Sequence, residues 1–363
     1  MQENDVYSEL AKKLNAPVSK RFLSLVEELL TPEEVEICME LFTPATCPEL
    51  ASRFKVDEKS LAEKLGNLVD RGVLTRGETQ YGFHTNLIGF CHDILQSGGV
   101  HAGPYAVTQK AKDLFADFFW NEWQDMMAEG ASRMAKPGGP HINRVWPAIG
   151  ALELSPNIRP EEILPEEDFR EVVKNAKRRI ICSCGCRVVW GKCDHPLNTC
   201  FSCFDNSRGE YYIDQPGRTQ KEYSLEETLA IVYRNEELGL VHLGSCFCCP
   251  DHCMVLNPFR KINRMDLLPP SRFVAAVDEE LCIGCQDCIE RCAFDAIEMQ
   301  KSATSKKLKA YIINENCKGC GVCIVGCKQK ALRYEIARPP EYITSQPPPP
   351  ADVGSNWGFY NLK

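Results

Sequence analysis

Cys282-Ile-Gly-Cys285-Gln-Asp-Cys288-Ile-Glu-Arg-Cys292 and Cys317-Lys-Gly-Cys320-Gly-Val-Cys323-Ile-Val-Gly-Cys327 are one pattern written twice, offset by 35 residues. Both read C-x2-C-x2-C-x3-C. The flanks repeat as well: Val277-Asp278 is matched by Ile313-Asn314, and Ala296-Ile297-Glu298 by Ala331-Leu332-Arg333. A tight loop with a thiolate at every third residue closes on three corners of an iron–sulfur cube. The fourth cysteine, at the start of a short helix, reaches the neighbouring cube. Gly284 and Gly319 let the backbone turn close to the inorganic sulfides, where loop N–H groups hydrogen-bond sulfur. The spacing therefore predicts one 4Fe–4S cluster on Cys282, Cys285, Cys288 and Cys327, and a second on Cys317, Cys320, Cys323 and Cys292. Zinc is the bland alternative. It normally takes one C-x2-C pair from each of two separated knuckles, and triple runs do not suit its tetrahedral closure.

This segment resembles the bacterial two-cluster ferredoxin family from about residue 273 to residue 335. The family usually places proline after the fourth cysteine, whereas here Ala293 and Lys328 stand there. Ligation is unaffected by that departure, but loop rigidity and reduction potential are not bound to follow the family. The resemblance implies one-electron transfer.

Working outward, cysteine usage divides the chain. Of 21 cysteines in 363 residues, only Cys38, Cys47 and Cys91 precede residue 180, ten lie between Cys182 and Cys253, and eight between Cys282 and Cys327. Such a count means either a disulfide framework or metal–sulfur chemistry. The start, Met-Gln-Glu-Asn-Asp, has neither a basic region nor an apolar run, it carries no twin-arginine signal, and no apolar stretch approaches a membrane span. A cytoplasmic location with reduced thiols is expected. The net charge of −8 argues against a general binder of nucleic acid or anionic membrane.

Ahead of the ferredoxin-like runs, residues 165–176 pattern as a helix, and Ile180-Ile181 reads as a strand leading into Cys182-Ser-Cys184-Gly-Cys186-Arg187. Cys193-Asp-His195-Pro and Cys200-Phe-Ser-Cys203 follow. Ser224-Leu-Glu-Glu227 is a capping box opening a helix to about Glu237. Gly239-Leu-Val-His242 then leads to Cys246-Phe-Cys248-Cys249-Pro-Asp-His252-Cys253. Two cysteine groups joined by a helical crossover would supply one or two more 4Fe–4S clusters. The expected set is Cys184, Cys186, Cys193 and Cys200 on one side, with Cys246, Cys248, Cys249 and Cys253 on the other. Spacing does not say which residues share a centre. Adjacent Cys248 and Cys249 point in different directions, so either they serve different metals or one of them is a free thiol. Zinc competes here, because Cys and His mix at irregular spacing. Arg187 is expected at a surface turn, with stabilisation of cluster charge beside the thiolates as the sharper alternative, and His242 and His252 as packing groups or neighbours of ligands. The C-x-C-R motif, the GLVH-like segment, the C-x-C-C motif and the C-terminal dicluster run together resemble a widespread group of 4Fe–4S proteins over residues 165–335. That resemblance implies electron transfer but no particular reaction.

Toward the N-terminus, Thr31-Pro-Glu-Glu34 is a helix start and Cys47 to Phe54 a second helix. Asp57 caps a third, with Leu61, Leu65, Leu68 and Val69 at helical spacing. Val73 to Arg76 and Tyr81 to Phe83 read as a hairpin. The order resembles a winged helix-turn-helix domain. Residues 31–90 carry six Lys or Arg against ten Asp or Glu, so phosphate attraction is poor, and protein docking or dimerisation is expected ahead of DNA binding. Residues Val107 to Glu129 form an aromatic helix with Phe115, Phe118, Phe119, Trp120, Trp123, Met126 and Met127 on a wide apolar face, expected to pack as core. Pro137 to Pro140 is a breaker, residues 147–165 an ordered linker, and residues 339–363 an extended Pro-rich and aromatic tail.

The expected architecture is α+β and multidomain: a winged-helix-like domain (1–100), an aromatic helix and linker (101–164), a cysteine-rich iron–sulfur module (165–268), a two-cluster ferredoxin domain (269–338) and the tail (339–363). No dinucleotide or Walker loop is present, no acid–base or nucleophile pattern stands out, and the catalytic residues, if any, are unknown. The expected function is relay of single electrons to or from a partner oxidoreductase or soluble carrier, under anaerobic conditions and within a homo- or hetero-oligomer. A redox-sensing winged-helix regulator, or an oxidoreductase whose middle cluster is catalytic, are the alternatives.

Overall fold

The computed structural model describes residues 3–77, 79–84, 86–98, 106–127, 129, 144–176, 178–190, 193–204, 222–244, 246–302 and 305–344. The breaker at Pro137 to Pro140, the side chain of Cys203 and the tail from residue 345 lie outside the described residues. The architecture is α+β, with small antiparallel sheets among short helices. Among the described residues, no helix is long and apolar enough to cross a membrane.

The N-terminal third is helical: Glu3–Lys13, Lys20–Leu29, Pro32–Glu40, Cys47–Phe54 and Glu58–Asp70. Thr31 and Thr46 each close a reciprocal capping box, with Glu34 and Glu49 respectively, and a proline at the start of both helices fits the first turn. Strands β1 (Leu74–Arg76) and β2 (Tyr81–Phe83) pair antiparallel, with Leu74 opposite Phe83. Helix Leu87–Gly98 follows. The aromatic helix is regular from Gln109 to Phe118 and then widens into a π turn at Phe119–Trp123. Phe22 meets Phe118 at 5.2 Å between ring centroids, so the second helix covers part of the aromatic face.

The middle region is built on a four-stranded antiparallel sheet in the order β3-β4-β6-β5, made of β3 (Arg178–Ser183), β4 (Asn198–Phe204), β5 (Val241–Leu243) and β6 (Cys246–Cys248). Its register sets Cys182 opposite Cys200, Cys200 opposite Cys246, and Leu243 opposite Cys246. Directly opposed residues share a face, and successive residues alternate faces. The Cys-Phe and Cys-Phe-Cys words in the sequence are therefore a strand pattern. Cys200, Cys246 and Cys248 face the main core, while Phe201 and Phe247 pack on the other face with Ile149, Phe169, Ile181 and Val232. Helix Leu225–Glu237 carries the expected capping box at Ser224 and Glu227. The helix before β3 starts later than its pattern predicts, at Phe169 with Asp168 as N-cap, because Glu167 is drawn into a buried ion pair with Arg272 at 2.5 Å.

In the C-terminal region β7 (Phe273–Val277) pairs with β10 (Leu332–Ile336), and β8 (Ile297–Lys301) with β9 (Leu308–Ile312). Short helices Asp287–Glu290 and Val322–Val325 follow the two cysteine loops. The backbone repeats with the sequence. Positive φ occurs at Gly284 and Gly319, at Gln286 and Gly321, and at Asp295 and Lys330.

Candidate metal centres

The two C-terminal cavities divide the eight cysteines. One is lined by Cys282, Cys285, Cys288 and Cys327, the other by Cys292, Cys317, Cys320 and Cys323. Each cavity thus draws three sulfurs from one loop and the fourth from the other. At Gly319 (φ +64°) an added Cβ would overlap the Phe273 carbonyl and Ser271 Oγ, and at Gly284 (φ +76°) the Leu308 carbonyl. The crossing cysteines accept matching hydrogen bonds: Ala296 N donates to Cys292 Sγ at 3.3 Å and Ala331 N to Cys327 Sγ at 3.3 Å. Burial pushes the Cys288 thiol up to about 11 and the Cys320 thiol up to about 12. Iron binding at such sulfurs displaces their protons. In each cavity four thiols converge on one space, and this donor set fits a cluster.

The halves differ in setting. Cys285 is exposed, and Leu281 (49% exposed), Ile283 (47%), Leu308 (45%) and Tyr311 (49%) stand out from the same half. Cys317, Cys320 and Cys323 are buried. Around them, Ala148 N donates to the Cys320 carbonyl at 3.0 Å, while the Tyr334 hydroxyl and Ser271 Oγ donate to the Gly319 carbonyl at 3.1 and 2.7 Å.

A third cavity lies against the cysteine face of the middle sheet. Cys184, Cys186, Cys200, Cys246, Cys248 and Cys253 line it, and Cys249 and His252 stand at its edge. Its free space, about 600 Å³, exceeds the about 430 and 340 Å³ of the C-terminal pair. The sulfurs come from four segments of chain. Cys200 Sγ and Cys246 Sγ are 3.0 Å apart. Cys253 Sγ accepts from Val255 N at 3.4 Å and Leu256 N at 3.5 Å, and Cys186 Sγ accepts from Met254 N at 3.4 Å. Hydrogen bonds from Cys186 and Cys248 hold the Cys253 thiol well below the usual range. The Cys200 thiol falls to about 6, through Cys246 first and His92 after it.

The N-terminal helices close this cavity. His92, Trp123 and Met127 line it. His92 Nε2 is 3.7 Å from Cys200 Sγ, and its Nδ1 is 3.2 Å from the buried carboxylate of Asp93, which also lies 3.9 Å from His84 Nδ1. The π turn rotates Trp123 inward, where its Nε1 donates to the Met254 carbonyl at 3.3 Å. None of this follows from spacing. His92 is separated from Cys200 by 108 positions, and a lone histidine on a helix carries no ligand signal of its own.

Cys193 does not line the large cavity, whereas Cys249 and His252 line it and also group with Cys193, the three donor atoms all within 4.8 Å of one another. Arg187 corrects the expectation of a surface turn. It is 2% exposed, because helix Gly185–Trp190 points it into the core. It donates to the Pro196 carbonyl and Thr199 Oγ1 at 2.6 Å each and to the Phe247 carbonyl at 2.9 Å, and its buried Nε has no protein partner. A buried N–H facing a thiol-lined cavity suits an anionic, sulfide-bearing occupant. His242 packs as expected: its ring stacks on Phe247 at 4.4 Å, and burial drives its pKa down to about 3.

A family model described as a 4Fe-4S dicluster domain matches residues 281–331. The C-terminal region is a ferredoxin-type domain. It carries two 4Fe–4S clusters, so the chain has at least that number. An archaeal-type glutamate synthase [NADPH] of Dehalococcoides mccartyi is 35% identical over 63 residues, which is 17% of this chain and 12% of that protein. A ferredoxin of Pyrobaculum islandicum is 29% identical over 65 residues, 18% of this chain and 56% of the other. The chain thus spans about an eighth and just over half of the lengths of these curated relatives, and both likenesses are short segments of this chain.

The ferredoxin-type domain is stitched to the middle sheet by a segment that the sequence leaves as a linker. Trp146 N donates to the His242 carbonyl at 2.9 Å, two residues before Ala148 reaches Cys320. The short helix Ile149–Glu153 has its first N–H groups received by Glu236, from Ile149 at 2.7 Å and Gly150 at 2.8 Å. Arg291 donates to the Val322 carbonyl and to the carbonyls of Glu236 and Glu237, at 2.8, 3.0 and 2.9 Å.

Proposed function

We propose that the chain is an electron-transfer protein, or the electron-transfer subunit of an oxidoreductase complex, passing single electrons between a docked redox partner and a centre in the six-cysteine cavity. The bound clusters supply one-electron carriers. The observation that carries the reading is the asymmetry of the ferredoxin-type domain. One cavity opens beside Cys285 and four exposed apolar side chains, and the other is buried against the segment that touches the middle sheet. Cys282, Cys285, Cys288 and Cys327 would hold the outer cluster, and Cys292, Cys317, Cys320 and Cys323 the inner one. Cys184, Cys186, Cys200, Cys246, Cys248 and Cys253 would hold at least one more iron–sulfur centre. An exposed apolar patch is the ordinary form of a docking site. The path inward would run from Cys320 through Ala148 and Trp146 to His242, whose ring touches Phe247 between Cys246 and Cys248. The likeness to a ferredoxin and to a segment of a glutamate synthase supports the carrier role.

Stopped-flow reduction by a small reduced ferredoxin tests the direction of this wire. Ile283→Glu with Leu281→Glu should slow reduction about tenfold or more while the visible spectrum keeps its intensity. An unchanged rate would place the entry point elsewhere.

A second reading is favoured by the contact of His92 with Cys200. The three helices Pro32–Glu40, Cys47–Phe54 and Glu58–Asp70 with the β1–β2 hairpin resemble a winged-helix unit in order, and His84, Asp93 and His92 would tie that unit to the cavity. Redox change at the cavity would then be felt in the N-terminal region. Its third hairpin-proximal helix, Glu58–Asp70, is acid-rich, which supports a protein target rather than DNA. A shift in N-terminal hydrogen exchange between oxidised and reduced protein would support this reading, and identical exchange would remove it.

A further inference from the structure

We propose that Cys193, Cys249 and His252 form a separate mononuclear site for a tetrahedral divalent cation of the zinc class, distinct from any iron–sulfur centre in the adjoining cavity. The donor atoms lie within 4.8 Å of one another, and Cys249 Sγ is 3.3 Å from His252 Nδ1. Zinc bonds of 2.3 Å to sulfur and 2.0–2.1 Å to nitrogen give tetrahedral edges of about 3.5–3.8 Å. The group needs only small side-chain rotations to meet that geometry. A cubane spreads its thiolates over a larger tetrahedron and uses sulfur almost throughout, whereas mixed sulfur and imidazole donors suit zinc.

The fold explains why Cys249 also reaches Cys193. Cys246 and Cys248 alternate with Phe247 along β6 and face the main core. The chain turns at Cys249-Pro250, and the Cys249 side chain joins the opposite core, where Cys193 also packs. Asp251 and His252 occupy that turn, so Cys249 and His252 come together as neighbours three apart. Cys193 arrives from beyond helix Gly185–Trp190. The last residue of that helix, Trp190, lies 5.1 Å from the His252 ring and is itself backed by Trp120 at 4.8 Å. These indoles cover one side of the imidazole. Asp251 Oδ2 lies 4.0 Å from Cys249 Sγ, with Oδ1 turned to Arg260 at 3.3 Å, and it is placed to take the fourth corner.

Burial works against the charge of Arg187, but the nearby Cys184, Cys248, Cys193 and Cys249 thiols favour it and raise its pKa, so one buried cation serves both sets of thiols. The metal would pin the turn after β6 to the segment after helix Gly185–Trp190, and so fix two walls of the larger cavity.

The test uses the full chain, purified anaerobically from cells supplied with both iron and zinc. Elemental analysis should find about one zinc per chain, and zinc X-ray absorption should show two sulfurs with lighter N/O donors. Cys193→Ser and His252→Ala should each lose the zinc and keep the iron content and the paramagnetic signals of the reduced clusters. Wild-type protein replete in iron but lacking zinc would overturn the proposal. So would a zinc shell of four sulfurs, which would put the ion in the six-cysteine cavity, or iron lost together with zinc in the Cys193→Ser protein. The absorption measurement needs no variant, so it decides the matter even where a substitution fails to fold. The number of iron atoms is read separately, and a low iron count would bear on the cluster reading without touching this one.

Discussion

In the ferredoxin-type domain, eight sulfurs come from two loops whose bends are written locally, by positive φ at Gly284 and Gln286 and again at Gly319 and Gly321. In the middle region, six sulfurs come from four segments and meet only because a sheet register sets Cys200 opposite Cys246 and a helix carries Cys186 toward Cys253. The first arrangement is encoded in spacing, the second in tertiary structure. The first also needs little support from outside. The second depends on a buried arginine from beneath and on His92, Trp123 and Met127 from the N-terminal helices above.

The contrast is broken most severely at Arg187. Arg187→Ala should leave the Pro196 and Phe247 carbonyls without their donor and four thiol groups without their cation, costing about 3–5 kcal/mol. Denaturation and iron analysis should show the middle region losing its metal while the ferredoxin-type clusters keep their electron paramagnetic signals. Loss of every cluster together would mean that the two regions fold as one unit. Arg187→Lys should recover only part of the effect, since an ammonium lacks the fork that reaches three acceptors.

The junction between the regions should respond to pH. Burial raises the Glu236 carboxyl to about 7, against the two N–H bonds from Ile149 and Gly150 that favour its charged form. A carboxyl with a raised folded pKa contributes stability that is complete below its unfolded value near 4.5 and is lost as pH rises through about 7. The melting temperature should therefore fall between pH 5 and 8, by on the order of 3 kcal/mol in stability, and Glu236→Gln should flatten the slope. A flat wild-type profile would show that the carboxyl titrates normally.

Within the ferredoxin-type domain the repeat offers a finer comparison. Gly319→Ala should cost about 2 kcal/mol or more and lower the occupancy of the inner cluster, since the new methyl meets both Ser271 and the Phe273 carbonyl. Gly284→Ala meets only the Leu308 carbonyl and should cost less. Equal effects, read by urea unfolding and iron content, would mean that the inner half is no more constrained than the outer. The smallest effect is expected at His92. His92→Ala should change the spectrum of the middle centre and leave the ferredoxin-type signals unaltered, and no spectral change would show that His92 only packs.

These differences also mark what was legible in the sequence. The cysteine runs declared their own partners, because three sulfurs of each set lie within one short loop and the fourth is the last cysteine of the other copy of the repeat. The capped helices at Thr31, Asp57 and Ser224 were equally plain, since a cap and its helix are local. The neighbours of Cys193 could not be read from spacing, because its distance from Cys249 depends on how helix Gly185–Trp190 and the β6 turn pack. Arg187 was misplaced because propensity puts arginine outside, and only the carbonyls of Pro196 and Phe247 explain its burial. Residues 147–153, at the start of the stretch read as a linker, show no single period because their apolar side chains face two bodies at once.

The central claim is that electrons entering the ferredoxin-type domain have a third iron–sulfur centre to reach. Iron and acid-labile sulfide should be counted in anaerobically purified wild-type protein and in a Cys246→Ser, Cys253→Ser variant, with paramagnetic resonance on the reduced samples. The account predicts at least about 12 iron atoms in the wild type, falling by about four in the variant with both ferredoxin-type signals retained. About eight in both proteins, with identical spectra, would contradict it.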